Sequence, residues 1–247
     1  MITGASSGIG EGLTLELSRR GAVVGLVARR AEVLTELVGK ISSAGGKAVA
    51  LVADVNDADE LRTQADLLRH EYGPIDVLIA NAGIGALSPA LDLRTEDVAA
   101  VFQVNVLGAV NSVAAVLPGM IARKQGQLVA ISSLSAYRGL PKSAAYCASK
   151  AAVSSFFESL RIDLRNSGVD VTIIHPGFIK TPLTAGRQAK MPYMMELDTA
   201  VKRMVKAIEK RKKSYAFPWQ LASIVRLGMV MPIFMYDWIA ARNSFRE

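Results

Sequence analysis

Short apolar runs rich in β-branched residues recur along the chain and alternate with segments of helical period. The apolar runs occupy residues 21–28, 46–53, 75–83, 126–133 and 169–177. Helical spacing marks residues 9–20, 31–43, 57–72, 95–116 and 145–167. Strands that alternate with helices form parallel sheets, and near-continuous apolar strands are buried on both faces. The sequence therefore predicts an α/β fold with a doubly wound parallel sheet in three layers, α/β/α.

The alternating series continues without a linker, a repeat or a low-complexity segment, which predicts a single domain over residues 1–247. A content of 51% hydrophobic and 21% charged residues indicates a filled core without disorder. The one cysteine, Cys147, excludes an internal disulfide and favours a reducing, cytoplasmic compartment. We identify no secretory signal at the N-terminus and predict no metal site.

The formal net charge of +7 is compatible with anionic cofactors, membrane surfaces and nucleic acid. The lysines cluster mainly in one predicted helix, residues 201–213, without interleaved aromatic side chains. That arrangement is not typical of nucleic-acid binding. We therefore predict a small-molecule ligand and no nucleic-acid partner.

A glycine-rich loop follows the first apolar residues, in "MITGASSGIGEGLTLEL". Glycines such as Gly4, Gly8 and Gly10 allow a tight turn from strand to helix and close approach of a pyrophosphate to backbone N–H groups. The loop lies at the first β–α junction of the predicted sheet, where parallel sheets bind ligands. We predict a phosphate site here, with an ordinary turn as the alternative.

The first strand is unusually short, because only Met1 and Ile2 precede Thr3. About five or six residues are usual in a strand. Either the strand is truncated or the recorded start is not the native one.

The stretch "AAYCASKAA", residues 144–152, places a tyrosine and a lysine four residues apart among small neighbours. On a helix, positions i and i+4 share one face, so the Tyr146 phenol and the Lys150 ammonium project side by side. The alternative is a surface tyrosine beside a solvated lysine.

Six motifs occur in the order found in the short-chain dehydrogenase/reductase family, and together they resemble it closely. They are "TGASSGIG" (3–10), "NAG" (81–83), "VNVLG" (104–108), "ISS" (131–133), "YCASK" (146–150) and "PGFIKT" (176–181). The resemblance runs from residue 2 to about 182 and continues through residues 199–217. It implies a Rossmann-type fold and a nicotinamide-dependent enzyme, with residues 1–182 as the cofactor-binding and catalytic core.

The resemblance also implies four catalytic residues. Tyr146 would exchange a proton with the substrate oxygen, and Lys150 would lower the phenol pKa from its ordinary value near 10 while holding the nicotinamide ribose. Ser133, thirteen residues before Tyr146, would hydrogen-bond the substrate carbonyl, with Ser132 and Ser135 as competitors. Asn105 would order a water through its backbone carbonyl, the alternative being a packing or helix-kinking role.

Arg29 and Arg30 follow the strand "VVGLVA", where family members that use NAD typically carry an acidic residue. A guanidinium pairs well with a 2′-phosphate, so we predict NADP (NADPH) in preference to NAD, the alternative being two solvated arginines. Arg29 would be the primary contact, and Arg30 would stack on adenine. The cofactor contacts implied as a set are Gly4, Ser6, Ser7, Gly8, Ile9, Gly10, Arg29, Arg30, Asp54, Val55, Asn81, Ala82, Gly83, Tyr146, Lys150, Pro176, Gly177, Ile179 and Thr181.

Residues 183–198 should form the mobile substrate loop and a first lid helix. Met191, Met194 and Met195 there suit an apolar ligand or simply pack the lid, and Arg187 and Lys190 are candidates for an anionic substrate group. Residues 218–247 form an apolar extension interrupted by few charges. It caps the substrate pocket, forms a subunit interface, or lies peripherally in a membrane interface with Trp219 and Trp238 as anchors. His175 is expected to be structural.

These observations favour an NADP-dependent oxidoreductase acting on a carbonyl or secondary alcohol, with an apolar ketone or aldehyde as substrate. A 3-ketoacyl-thioester reductase of fatty-acid synthesis and a non-catalytic NADP-binding regulator are the alternatives. By the resemblance, the protein would be a homodimer or homotetramer that associates through residues 95–116 and 145–167.

Overall fold

Seven parallel strands form one sheet in this computed structural model, which describes residues 1–185 and 191–242, the side chain of Arg242 excepted. The order across the sheet is β3-β2-β1-β4-β5-β6-β7. The strands are β1 (Ile2–Thr3), β2 (Val23–Ala28), β3 (Lys47–Val52), β4 (Val77–Ala80), β5 (Gly126–Ile131), β6 (Val169–Pro176) and β7 (Ser214–Phe217). The five apolar runs correspond to β2 through β6, and their predicted parallel arrangement is confirmed.

Helices cover both faces of the sheet. Within the described residues they are α1 (Gly8–Arg19), α2 (Ala31–Ser43), α3 (Ala58–Tyr72), α4 (Thr95–Phe102), α5 (Gly108–Ala122), α6 (Ala144–Asp163), α7 (Leu197–Glu209), α8 (Trp219–Val230) and α9 (Ile233–Arg242). The predicted helix 95–116 is longer than expected and contains a π turn over Gln103–Leu107 between α4 and α5. The run 95–122 is apolar and long enough to cross a membrane by length and composition alone, a test that core helices also pass.

Two apolar cores confirm the three-layer, doubly wound arrangement. On one face Leu68 of α3, Val113 of α5 and Phe157 of α6 pack against the sheet. On the other face the buried side chains include Leu13 of α1 and Met204 of α7. Because apolar side chains of the strands enter both cores, the strands lack the period of two that a half-exposed sheet would show.

The two-residue strand β1 lies in the centre of the sheet between β2 and β4. Ile2 is paired with both Leu26 and Ile79. The Met1 amino group donates a hydrogen bond to the Val77 carbonyl oxygen at 2.9 Å. Burial lowers the pKa of this amine to about 5, against the opposing effect of the Asp76 charge. The chain winds in opposite directions on either side of β1 and β4, which opens a crevice at their carboxyl ends.

The segment after β6 contains no helix before α7 in the residues 183–185 and 191–196 that the structure describes. The rest of the predicted lid helix falls on residues 186–190, outside the described residues, so the lid helix stays a prediction. Met195 pairs with the segment after β6: its N–H donates to the Phe178 carbonyl, and its carbonyl accepts from Lys180 N–H. Arg187 and Lys190 lie outside the described residues.

Candidate active site

A cleft of about 320 Å³ opens at the carboxyl ends of the central strands, where the sheet order reverses. It lies between the glycine loop before α1, the ends of β2 to β5 and the start of α6. The predicted site residues that line it are Gly4, Ser6, Ser7, Gly8, Ile9, Arg29, Arg30, Asp54, Val55, Asn81, Ala82, Gly83, Tyr146, Lys150 and Thr181. Residues scattered over 178 positions of sequence thus meet at one edge of the sheet, as a parallel topology requires.

The glycine loop is held against β4 by Asn81, whose side-chain amide donates to the carbonyl oxygens of Thr3 and Gly4 at 3.0 and 3.2 Å. Gly4 has a φ of +66°, and a Cβ there would stand 2.8 Å from the Ala82 Cα, so a larger residue would displace the loop. Ser7 begins α1 without capping it through its side chain. The first N–H groups of α1 therefore remain available to an anion, and this cradle fits a pyrophosphate.

The two arginines after β2 take different directions. Arg30 Nη2 donates to the Ser6 hydroxyl at 2.9 Å and to the Ser6 carbonyl at 3.2 Å. Arg29 instead approaches Asp54, with 3.7 Å between Nη1 and Oδ2. Both guanidinium groups line the same end of the cleft. A cationic wall at that end suits an anionic group beyond the pyrophosphate.

Tyr146 and Lys150 share the face of α6 that borders the cleft. The Lys150 Nζ is 5.8 Å from the centre of the Tyr146 ring and donates to the Ile131 carbonyl oxygen at 2.9 Å. Lys150 is almost fully buried, and burial lowers its pKa to about 8. The predicted pair is therefore brought together, with the cation fixed beneath the phenol.

Asn105 is buried in the π turn between α4 and α5 and does not line the cleft. Its side-chain oxygen accepts from Ile84 N–H at 2.8 Å, and its amide donates to the Ile84 carbonyl and to the Ser149 hydroxyl. A π turn interrupts the regular i to i+4 pairing of an α-helix. The Asn105 side chain thus links the π turn to two other parts of the protein, the segment after β4 and helix α6. The role implied for its backbone carbonyl, that of ordering a water, stays a prediction.

Ser132 and Ser133, at the end of β5, have different surroundings. The Ser132 hydroxyl lies 3.1 Å from the Lys150 carbonyl oxygen and 2.7 Å from the Ser154 hydroxyl. Ser133 accepts from Ser135 N–H at 3.1 Å, and its hydroxyl proton has no acceptor within the described residues. Ser132 lines the cleft, whereas Ser133 lies just beyond it. The geometry gives Ser132 a supporting role and leaves Ser133 able to donate to a ligand.

Four of the predicted cofactor contacts, Gly10, Pro176, Gly177 and Ile179, do not line the cleft. Ile179 is buried in the core, and a Cβ on Gly177 would stand 2.9 Å from the Leu221 side chain of α8. Gly177 and Ile179 therefore pack the segment after β6 against the body, and their predicted ligand contacts stay predictions.

His175 is buried behind Lys150, in keeping with the structural role expected for it. Its Nε2 lies 3.3 Å from the Ser154 hydroxyl, and its ring lies 5.0 Å from that of Tyr137. Burial, followed by the charge of Arg226, lowers its pKa to about 4. The neutral imidazole therefore supports the turn of α6 that carries Lys150.

The sequence predictions missed several small or apolar residues that line the cleft. They are Ala28, Ala53, Ile84, Val104, Ile131 and Pro182, whereas Ser132 and Leu183, which also line the cleft, are predicted as a competing serine and as part of the substrate loop. Most of the missed residues adjoin a predicted residue at a strand end, and that adjacency was the only available signal. Of the described residues, no group of three or more His, Cys, Asp or Glu side chains could hold a metal ion.

Parallel sheets that open a crevice at a reversal of strand order, beside a glycine loop, belong to the Rossmann-type nucleotide-binding class, and this fold is of that class. Residues 1–192 match the short chain dehydrogenase family. The chain belongs to this family of oxidoreductases, which confirms the resemblance inferred from its motifs.

Known relatives agree with this assignment. The chain is 44% identical over 242 residues to an uncharacterized oxidoreductase of Myxococcus xanthus, covering 98% of this chain and 96% of the relative. A short chain dehydrogenase/reductase of Burkholderia phymatum, solved with NAD, has a TM-score of 0.85 at 24% identity over 98% of this chain and 94% of its own. A gluconate 5-dehydrogenase of Burkholderia cenocepacia, solved with NADP and tartrate, has a TM-score of 0.82 at 25% identity. The match covers 90% of this chain and 94% of the dehydrogenase.

Proposed function

We propose that the protein is an NADP-dependent oxidoreductase that transfers a hydride between the nicotinamide and a carbonyl or secondary alcohol, with an apolar ketone or aldehyde as the substrate reduced. The observation that supports this most directly is the placement of Tyr146 and buried Lys150 on one helix face beside the open cleft. When bound, the cofactor supplies or accepts the hydride at its nicotinamide ring. The protein supplies binding, orientation and the proton.

Tyr146 donates the proton to the substrate oxygen during reduction and accepts it in the reverse direction. An ammonium near a phenol favours the phenolate, so the fixed position of Lys150 Nζ assists proton release from Tyr146. The Ile131 carbonyl holds Lys150 in place. One or two of the remaining ammonium protons can then bind the nicotinamide ribose.

The Ser133 hydroxyl donates a hydrogen bond to the substrate carbonyl and so orients the carbonyl toward Tyr146. A hydrogen bond that strengthens as charge develops on the oxygen stabilises the transition state. Asn105 keeps the π turn in position and contributes its backbone carbonyl to a water-mediated proton path toward Lys150.

The choice of NADP rests on the paired arginines. The neighbouring structures were solved with either NAD or NADP, so the preference must come from this chain's own residues. Arg29 and Arg30 present two guanidinium groups at the end of the cleft opposite Tyr146 and Lys150, where the adenosine ribose of a dinucleotide would lie. Guanidinium groups bind phosphate strongly and with defined geometry.

We also propose that the chain forms one cytoplasmic domain that assembles into dimers or tetramers through α4–α5 and α6. Residues 1–182 serve as the catalytic core and 183–198 as the substrate loop, while 218–247 adds apolar surface next to it. Of this last segment, residues 243–247 lie outside the described structure.

Cofactor preference is tested by fluorescence titration of NADPH and NADH against the wild type and Arg29→Ala. We expect tighter binding of NADPH by the wild type and loss of most of that preference in the variant. Equal affinity for NADPH and NADH in the wild type would overturn the assignment to NADP. No binding of either cofactor would overturn the enzymatic proposal as a whole.

Turnover is tested with NADPH and a panel of apolar ketones and aldehydes, including one 3-ketoacyl thioester. Tyr146→Phe should lower kcat by about 10² to 10⁴, the range for loss of a general acid. Tyr72→Phe, a half-exposed tyrosine of α3, is the matched control and should retain full activity. Cofactor binding without turnover of any carbonyl would favour the non-catalytic regulator, and turnover of the thioester alone would favour the ketoacyl reductase.

A further inference from the structure

The C-terminal hairpin, defined as α8 and α9 (residues 219–242), exposes an unusual amount of apolar surface. Val230 is 79%, Phe234 74% and Trp219 69% exposed. The other large hydrophobic residues exposed on it are Ile224, Leu227, Met229, Ile233, Met235 and Trp238. Together these side chains present on the order of 1,000 Å², more than the largest apolar patch of a typical monomer. A surface of this size is typical of an interaction site.

The hairpin is fixed to the protein rather than loosely attached. Arg138 caps the end of α8, with Nη1 2.5 Å from the Gly228 carbonyl oxygen, and its guanidinium stacks 4.1 Å from the centre of the Tyr236 ring. The Tyr236 hydroxyl donates to the Gly139 carbonyl at 2.5 Å. The buried face of α8, at Leu221 and Ala222, packs on the turn after β5. The apolar surface is therefore presented in a defined orientation.

The distribution of apolar residues on α9 indicates what kind of partner fits. Ile233, Phe234 and Met235 are consecutive and all exposed. Successive helical residues point about 100° apart, so these three span about 200° of the helix circumference. The headgroup and acyl boundary of a bilayer takes up exposed apolar helix surface to a depth of about 5–10 Å, without the matching shape that a protein partner would need.

The few charges and the tryptophans of the C-terminal hairpin also fit a membrane surface as its partner. Between residues 219 and 241 the only charged side chains are Arg226 and Asp237, and the chain as a whole carries a net charge of +7. Both tryptophans of the protein, Trp219 and Trp238, lie on the hairpin and are exposed. Tryptophan is enriched at membrane–water interfaces, and positive charge attracts the protein to anionic lipid.

We infer that the C-terminal hairpin docks the protein on anionic membrane surfaces, with the tip formed by Leu227, Val230, Ile233 and Phe234 inserted at the interface. The hairpin is clasped by residues that lie between Ser133 and Tyr146 in the sequence. Docking would therefore hold the substrate side of the site near the bilayer, where lipid-soluble carbonyl compounds are concentrated. This last consequence rests on the proposed function, whereas docking itself does not.

The test measures binding of the full-length protein, without cofactor or substrate, to vesicles of phosphatidylcholine alone and of phosphatidylcholine with an equal part of phosphatidylglycerol. Co-sedimentation reports partitioning. Because both tryptophans lie on the hairpin, a blue shift of the intrinsic tryptophan emission reports its entry into the lipid interface. We expect binding and a blue shift with the anionic vesicles and much weaker binding to phosphatidylcholine.

Leu227→Ser combined with Phe234→Ser should lower partitioning by at least about tenfold, which corresponds to a loss of about 1.4 kcal/mol. Leu67→Ser, at an exposed leucine of α3, is the matched control and should bind as the wild type does. Failure of the wild type to bind, or equal binding by the double variant, would overturn the proposal. Equal binding to both vesicles would overturn the role of anionic lipid. Light scattering in lipid-free buffer completes the test, because a lower assembly mass in the double variant would make the hairpin a subunit interface instead.

Discussion

Arg30, at the end of the cleft next to β2, donates to both the hydroxyl and the carbonyl oxygen of Ser6, at 2.9 and 3.2 Å. The neighbouring Arg29 has only a 3.7 Å approach to Asp54, with both side chains substantially exposed. Exposed ion pairs contribute little and yield readily to a stronger partner. Arg30 is therefore already held at the cleft wall, whereas Arg29 is free to turn from Asp54 to a phosphate.

We predict that Arg30→Ala weakens NADPH binding at least as much as Arg29→Ala, by about tenfold or more, because each removes a charge-assisted hydrogen bond. The affinity for NADH should change little in either variant. Isothermal titration calorimetry with both cofactors measures the effect. Arg62→Ala, which removes an exposed arginine on α3, controls for the loss of net charge. A parallel loss of NADH affinity in Arg30→Ala would show that Arg30 shapes the glycine loop instead of reading the 2′-phosphate.

Alanine substitutions of the adjacent serines at the end of β5 should have different effects on kcat and on the free energy of unfolding. Ser133→Ala should lower kcat by about 10² to 10³, the range for loss of a hydrogen-bond donor to a developing oxyanion. It should cost about 0.5 kcal/mol in the free energy of unfolding, because it also removes the hydroxyl that accepts from Ser135 N–H. Ser132→Ala removes a hydroxyl that contacts the Lys150 carbonyl and Ser154, so it should cost about 1 kcal/mol in the free energy of unfolding. Steady-state kinetics and urea denaturation of both variants measure the two effects. The reverse pattern would assign the substrate hydrogen bond to Ser132.

The parts of the site that the sequence predicts well are those governed by a repeating local geometry. Helical period places Tyr146 and Lys150 on one face, and alternation of strands with helices places the glycine loop at the edge of the sheet where ligands bind. Both arrangements follow from local pattern alone, without knowledge of packing.

Features that depend on distant packing were not predictable. Arg138 contacts the Gly228 carbonyl across 90 positions of sequence, and nothing local to either residue indicates that contact. Side-chain direction is equally hidden: nothing in the sequence indicates that Arg30 donates to Ser6, and its expected stacking on adenine stays a prediction. The π turn around Asn105 is stabilised by its side-chain bonds to the backbone of Ile84. The apolar pattern of residues 95–116 indicated a continuous helix, and a kink at Asn105 was only an alternative.

Burial of Lys150 should appear in the pH dependence of the reaction. Its pKa is lowered from 10.5 to about 8, so the ammonium of the free enzyme is lost as the pH rises through 8. We expect kcat/KM for the cofactor to fall above about pH 8, because kcat/KM reports the ionisation of free enzyme. Lys150→Arg should retain part of the activity and lose this alkaline limb, since a guanidinium stays protonated. If kcat/KM of Lys150→Arg still falls above about pH 8, the ionising group is a residue other than Lys150.

His175 should make the protein sensitive to mild acid. Its pKa is lowered from 6.5 to about 4, so between these values the unfolded chain binds a proton that the folded chain does not. Stability therefore rises with pH through this window and is lost as the pH falls from 6.5 toward 4, by on the order of 2–3 kcal/mol. Urea denaturation at pH 7, 5.5 and 4.5 measures this loss in the wild type.

The histidine responsible is identified by comparing two variants, since the chain contains only His70 and His175. His175→Gln removes the titrating group while keeping a polar partner for Ser154, so it should flatten the pH dependence whatever its effect on stability at pH 7. His70→Gln, at an exposed position of α3, should leave the wild-type slope intact. The same slope in all three proteins would mean that His175 is protonated as readily in the folded state as in the unfolded chain, contrary to its burial behind Lys150.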